Sequence, residues 1–146
     1  MKKSLFLFLT VLLLISCNKT ATTKENSNQT IHNEGKVVEV LYFHGKQRCM
    51  TCNAIEKEAK QLIDSVYASE IADNKLIFRV VDFSEKENEA LAEKYEVAFS
   101  SLFVNQWSNG EESVNNLTEF AFANARSNPA VFKSELQRII GESLAN

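Results

Sequence analysis

The sequence predicts an α/β fold with a central mixed sheet of about four strands flanked by helices, in the order β-α-β-α-β-β-α. Three observations predict it. Short β-branched and aromatic runs alternate with stretches of helical period from Lys36 onward, which places strands parallel to one another beneath crossover helices. An Asn-Gly pair then separates two strand-like runs, the signature of an antiparallel hairpin. Finally, only about 110 residues carry this pattern, enough for one core and too few for two.

The first strand is Val37 to Phe43, β-branched and aromatic and of a length typical of a buried strand. His44-Gly45-Lys46-Gln47-Arg48 breaks it. A helix begins at Cys49 and Cys52, with Ile55, Ala59, Leu62, Ile63 and Val66 recurring at three- and four-residue steps. Leu76 to Phe83 reads as the second strand. Ser84 stands where an N-cap belongs, with Glu87 at capping-box spacing, ahead of a helix carrying Leu91 and Ala92. A third strand runs from about Ser101 to Gln106. The Ser108-Asn109-Gly110 turn leads into a short strand, Glu112 to Val114. The C-terminal part is helical, first over Leu117 to Asn124 and then from Pro129, a residue suited to a first helical turn, to near Leu144.

The N-terminal region has a different character. Lys2 and Lys3 precede an apolar run from Leu5 to Ile15, followed at once by Ser16 and Cys17, the layout of an export signal too short to span a membrane. Leu14-Ile15-Ser16-Cys17 resembles the lipobox of bacterial lipoproteins, which implies cleavage before Cys17 and acylation of its thiol, an anchor to a membrane without a spanning helix. Residues 18–35 are Asn, Thr, Lys, Glu, Ser and Gln with one isolated Ile, and are expected to be a tether; His32 within them is expected to be solvated. The expected organisation is a lipoprotein signal over 1–17, a tether over 18–35 and one domain over 36–146, held in the cell envelope and facing the periplasm or the exterior.

Charge excludes one class of partner. The 16 basic and 19 acidic residues leave a net charge of −3 with the cations scattered, so there is no electrostatic footprint for nucleic acid. The three cysteines divide as one plus two: with Cys17 assigned to lipid, Cys49 and Cys52 remain as a pair in a compartment where disulfides persist. At a helix start the first of them meets unpaired N–H groups and the positive end of the helix dipole, which favour a thiolate, and Arg48 adds charge in the same direction. Cys49 is therefore the expected nucleophile and Cys52 the resolving thiol. A structural staple closing so few residues would stabilise little. Two thiolates with the imidazole of His44 would instead suit Cu(I) or zinc, the alternative reading, in which the protein binds or delivers metal through Cys49, Cys52 and His44. His44 has a third, plainer option, closing a turn by a backbone hydrogen bond.

The order of elements, with Cys49-Met50-Thr51-Cys52 just after the first core strand, resembles thioredoxin. Val81-Asp82, Asn88 and Leu91-Ala92-Glu93-Lys94-Tyr95-Glu96-Val97 look like the thioredoxin segment that ends the second core strand and builds the next helix, and the likeness runs from Val37 to Leu144. The resemblance implies a thioredoxin-like thiol–disulfide oxidoreductase working through Cys49 and Cys52, without a cofactor and as a monomer. Its partners would be exported cysteine-containing proteins and a membrane or periplasmic thiol electron donor. Two departures bear on this. Thioredoxins place a cis-proline where this chain has Ser101, preceded by Ser100; without proline a cis bond costs several kcal/mol, so a trans bond is expected there. Thioredoxins also bury an aspartate on the first core strand, whereas Leu41-Tyr42-Phe43 contains no acid. Glu56, one turn beyond Cys52, could take that role through water or simply be an exposed helix residue. Phe78, Phe83, Phe99, Phe103, Phe120, Phe122 and Phe132 are expected in the core, and Trp107 either packs or offers a platform to substrate.

Overall fold

The computed structural model describes residues 35–146. The signal, Cys17, His32 and all but the last residue of the expected tether lie outside the described residues. Within them the elements are β1 (Val37–His44), α1 (Met50–Val66), α2 (Ala68–Ala72), β2 (Leu76–Asp82), a 3-10 turn at Lys86–Asn88, α3 (Glu89–Lys94), β3 (Ser101–Ser108), β4 (Glu111–Asn116), α4 (Thr118–Asn124) and α5 (Pro129–Ala145). The sheet order is β2-β1-β3-β4, with β1 parallel to β2 and antiparallel to β3, and β4 antiparallel to β3. This is the mixed, helix-flanked sheet expected from the alternation of patterns. It differs by a one-and-a-half-turn helix, α2, placed between α1 and β2.

β1 lies inside the sheet between β2 and β3, which is why its run is apolar but for Glu39. Strand alternation sends Val38, Val40 and Tyr42 to one face, where Ile55, Ala59, Leu62 and Ile63 of α1 and Phe132, Leu136 and Ile140 of α5 cover them. Leu41 and Phe43 point the other way, against Val81, Phe103 and the partly buried Leu91, Tyr95 and Val97 around α3. Each fully buried aliphatic of this kind contributes roughly 1.5–3 kcal/mol. Glu39 shares the α3 side at 2 % exposure, and its carboxylate is met by Arg79 on β2 at 2.9 Å. On α1 the buried Glu58 is likewise matched, by Lys57 at 3.0 Å and by Lys133 of α5 at 2.9 Å.

Two local expectations are corrected. Ser84 does not cap a helix: its N–H and hydroxyl both donate to Asp82 Oδ1, at 2.9 and 2.6 Å, and the 3-10 turn intervenes before α3, whose N-cap is Asn88. An Asx turn at the end of β2 competes for the serine and wins. The hairpin is longer than its expected second strand. β4 starts at Glu111, directly after Asn109 and Gly110, whose φ values of 53° and 81° match the paired positive angles of a tight hairpin turn.

Candidate functional site

The site forms where β1 ends and α1 begins, so the sheet fixes one side of it and the helix start the other. Cys49 is the N-cap of α1, extended at φ −75° and ψ 165°, and its Sγ accepts the backbone N–H of Cys52 at 3.0 Å. The two cysteines are joined in a disulfide with their Cα atoms 5.0 Å apart, inside the usual range. Cys49 is exposed and Cys52 is 6 % exposed. The first cysteine is thus open to a partner from solvent and the second is shielded, an asymmetry that suits thiol exchange. On reduction, the N–H that now meets Cys49 Sγ would meet a thiolate in the same place, near the positive end of the α1 dipole.

Beneath the bridge lies Tyr42. Its ring is fully buried, and its hydroxyl donates to the Cys52 carbonyl at 2.8 Å. Burial holds this phenol above its ordinary pKa, against the opposing pull of hydrogen bonds from Arg48 and Ser100, so it stays protonated. The guanidinium of Arg48 sits over the Tyr42 ring, 5.7 Å from its centroid, and forms an ion pair with Glu56. Burial alone would lower the Arg48 pKa; hydrogen bonds with Glu56 and Tyr42 outweigh it and hold the cation above its usual value. Arg48 Nε is buried without a hydrogen-bond partner. Glu56 is thus no freely solvated helix glutamate: its side chain is 28 % exposed and drawn back toward the loop that carries the cysteines.

His44 takes the plain option. Its Nδ1 lies 3.0 Å from the Gly45 carbonyl oxygen, and its ring stands 6.1 Å from that of Tyr42. Among the described residues no group of three or more His, Cys, Asp or Glu side chains is placed to hold a metal ion, with Cys49 and Cys52 joined in the disulfide. Ser101 opens β3 opposite Phe43, buried, with its hydroxyl donating to the Phe99 carbonyl at 2.8 Å. No peptide bond among the described residues is cis, and the bond before Ser101 is trans. The neighbouring Ser100, also buried, is the serine that reaches the Tyr42 hydroxyl.

Two aromatic residues are placed otherwise than expected. Phe99 is 62 % exposed on the loop before Ser101, and Phe122 is also exposed, because neither lies on an element face that meets the sheet. With Tyr95, Ser101, Phe103 and Thr118 they line an open cleft of about 440 Å³ at the end of β3 nearest the cysteines. Met50, between the cysteines, adds another exposed apolar side chain. Trp107 lies opposite Val37, at the far end of β1 from Cys49, with Lys94 Nζ 4.6 Å from its ring centroid; it offers no platform to a substrate at the thiols. Tyr42 and Ser100 are the contributors that sequence reasoning did not single out. The available signal was the phenol in an otherwise apolar strand, since a buried tyrosine hydroxyl needs a partner.

The sheet order, the helices on both faces and the cysteine pair at the start of the helix after the central strand make the fold thioredoxin-like. The chain is similar to a solved malarial protein, with 21 % identity over 60 % of this chain and 93 % of that one at a TM-score of 0.39. It is similar to a thioredoxin from Thermus thermophilus, with 16 % identity over 70 % and 73 % of the two chains at a TM-score of 0.45. A third similar structure is thioredoxin-2, a component of malaria parasite protein secretion machinery, with 22 % identity over 70 % and 86 % at a TM-score of 0.43. No family model and no curated protein matches the chain.

Proposed function

We propose that this protein is a thiol–disulfide oxidoreductase acting on exported cysteine-containing proteins from a lipid anchor at Cys17. The observation that carries the reading is the exposed Cys49 at the cap of α1, bridged to a buried Cys52. A fold that fits thiol–disulfide chemistry and a Cys-x-x-Cys pair in its usual place support it. In the reductive direction the Cys49 thiolate attacks a substrate disulfide, forming a mixed disulfide and releasing one substrate thiolate. Cys52 then loses its proton and attacks Cys49 Sγ. That closes the Cys49–Cys52 bond and releases the second substrate sulfur, which takes up a proton. The oxidative direction is the reverse, and a thiol electron donor or acceptor resets the pair.

Exposed Phe99, Met50 and the cleft beside Ser101 supply apolar surface for an unfolded segment around a substrate cysteine. No helix among the described residues is long and apolar enough to cross a membrane, and acylated Cys17 would supply the attachment.

The test is the reduction potential of the Cys49–Cys52 pair, titrated against thiol redox buffers. The expected value lies between roughly −120 and −270 mV, the range of known exchange proteins. Catalysed reduction or oxidation of a protein disulfide should disappear in Cys49→Ser. A pair that cannot be cycled, or turnover that survives Cys49→Ser, rejects the reading.

A further inference from the structure

Cys52 must shed a proton before it can attack Cys49 Sγ, yet it is 6 % exposed, so bulk water is a poor acceptor. The sheet offers no base. The acid buried on β1, Glu39, points to the α3 face, while Tyr42 points to the opposite one, which α1 and Cys52 cover. Tyr42 donates its own proton to the Cys52 carbonyl. His44 is turned to the Gly45 carbonyl, beside Asp82 at the strand ends. The remaining group is Glu56. It follows Cys52 by one helical turn, a spacing that places the two side chains on adjoining parts of the α1 surface. The groups that contact or act on it are Arg48 from the loop and Tyr42 from β1.

We propose that Glu56 is the proton acceptor for Cys52, directly or through one water, and that Arg48, held over the Tyr42 ring, positions it. The proposal rests on the thiol-exchange reading and deepens it. In the step concerned, the substrate is joined to Cys49 by a mixed disulfide. The Cys52 Sγ–H proton passes to the Glu56 carboxylate, and the sulfur's electron pair forms the bond to Cys49 Sγ. The bond between Cys49 and the substrate sulfur breaks, and its electrons leave on the substrate thiolate, which is then protonated by the Glu56 carboxyl or by water. Cys49 and Cys52 end oxidised and the substrate reduced. Arg48 Nε–H is buried and has no hydrogen-bond partner.

The experiment uses the full chain with Cys17→Ser, so that only the pair reports. The reduced protein is mixed with one equivalent of 5,5′-dithiobis(2-nitrobenzoate). The first nitrothiolate released follows attack by Cys49, and the second follows resolution by Cys52. In Glu56→Gln, which keeps an oxygen for Arg48, the second phase should slow by about 10²-fold at neutral pH, the usual worth of a general base, and become proportional to hydroxide. The first phase should not slow. Glu56→Asp, which keeps a carboxylate, should restore a second phase that is independent of pH. A second phase in Glu56→Gln equal to that of the parent overturns the proposal, as does an Asp variant as hydroxide-dependent as the Gln variant. A parent that shows no second phase rejects the exchange reading itself.

Discussion

Removing the Tyr42 hydroxyl tests a hydrogen bond that ties the cysteine helix to the sheet. In Tyr42→Phe the ring stays in place, so no cavity opens and the cation of Arg48 keeps its aromatic face. What is lost is a buried bond of 2.8 Å to the Cys52 carbonyl, together with the hydroxyl's contacts to Arg48 and Ser100. The carbonyl lies in the first turn of α1 and keeps its place in the helical ladder, so it is not orphaned. The net loss is therefore about one hydrogen bond, roughly 0.5–1.5 kcal/mol. For a domain of this size that lowers the melting temperature by roughly 4–8 °C per kcal/mol. Urea unfolding of the oxidised and the reduced protein measures it, and the same loss is expected in both, because the acceptor is a backbone carbonyl whose charge does not change with redox state. By thermodynamic closure the reduction potential should then stay within about 15 mV of the parent, equivalent to about 0.7 kcal/mol. A stability loss below about 0.3 kcal/mol would refute the claim that this bond anchors the helix. A potential shift well beyond 15 mV would show that the phenol acts on a sulfur and not on the carbonyl.

Two further outcomes test the surroundings. The Glu58 carboxyl is held below its ordinary pKa by hydrogen bonds first from Lys133 and then from Lys57, so its contribution is present above the unfolded value near about 4.3 and is lost as pH falls through the lower folded value. Lys133→Met, which keeps the aliphatic stem, should cost about 1 kcal/mol in urea unfolding at pH 7, and the difference from the parent should shrink as pH falls below about 4.3; a difference that grows in acid contradicts the pairing. Phe99→Ala, at an exposed position, should change stability by less than about 0.5 kcal/mol. It should raise the KM for a protein disulfide several-fold while leaving reaction with a small disulfide unchanged, and an equal effect on both substrates counts against a docking role for the loop.

The elements were legible where a physical period or a turn chemistry was strong. Val37 to Phe43 reads as a buried central strand because every position is apolar except Glu39, and even that exception is explained by a cross-strand partner, Arg79. Asn109-Gly110 announces its hairpin because few other residue pairs accept two positive φ angles. The order of the two cysteines along α1 was equally readable, since helical geometry alone puts the second one turn further in. What could not be read depends on pairings across the chain. Arg48 and Glu56 are separated by the helix start, and nothing in their spacing says that the arginine will turn toward the helix face and not toward solvent. Ser84 carries a sound capping signal, but the Asp82 side chain two residues earlier offers it a closer partner. Phe99 shows the limit of composition, because a phenylalanine in a loop looks the same in sequence whether it folds inward or stands exposed.

The features of this site are mutually consistent. A carboxylate at the position of Tyr42 would lie against Cys52 in full burial; here that space is filled by a phenol that stays neutral and holds the helix by its carbonyl. Neutral filling removes the cost of burying an uncompensated charge under the bridge. It also removes the internal base, so any carboxylate serving Cys52 has to approach from the helix surface. A surface carboxylate would ordinarily be too mobile to serve a buried thiol, and this one is restrained by the cation that the same phenol supports. Tyrosine, arginine and glutamate thus form one unit, and its members should be coupled. Loss of the Tyr42 hydroxyl and loss of the Glu56 carboxylate act through a common arginine, so their effects on Cys52 resolution should combine less than additively.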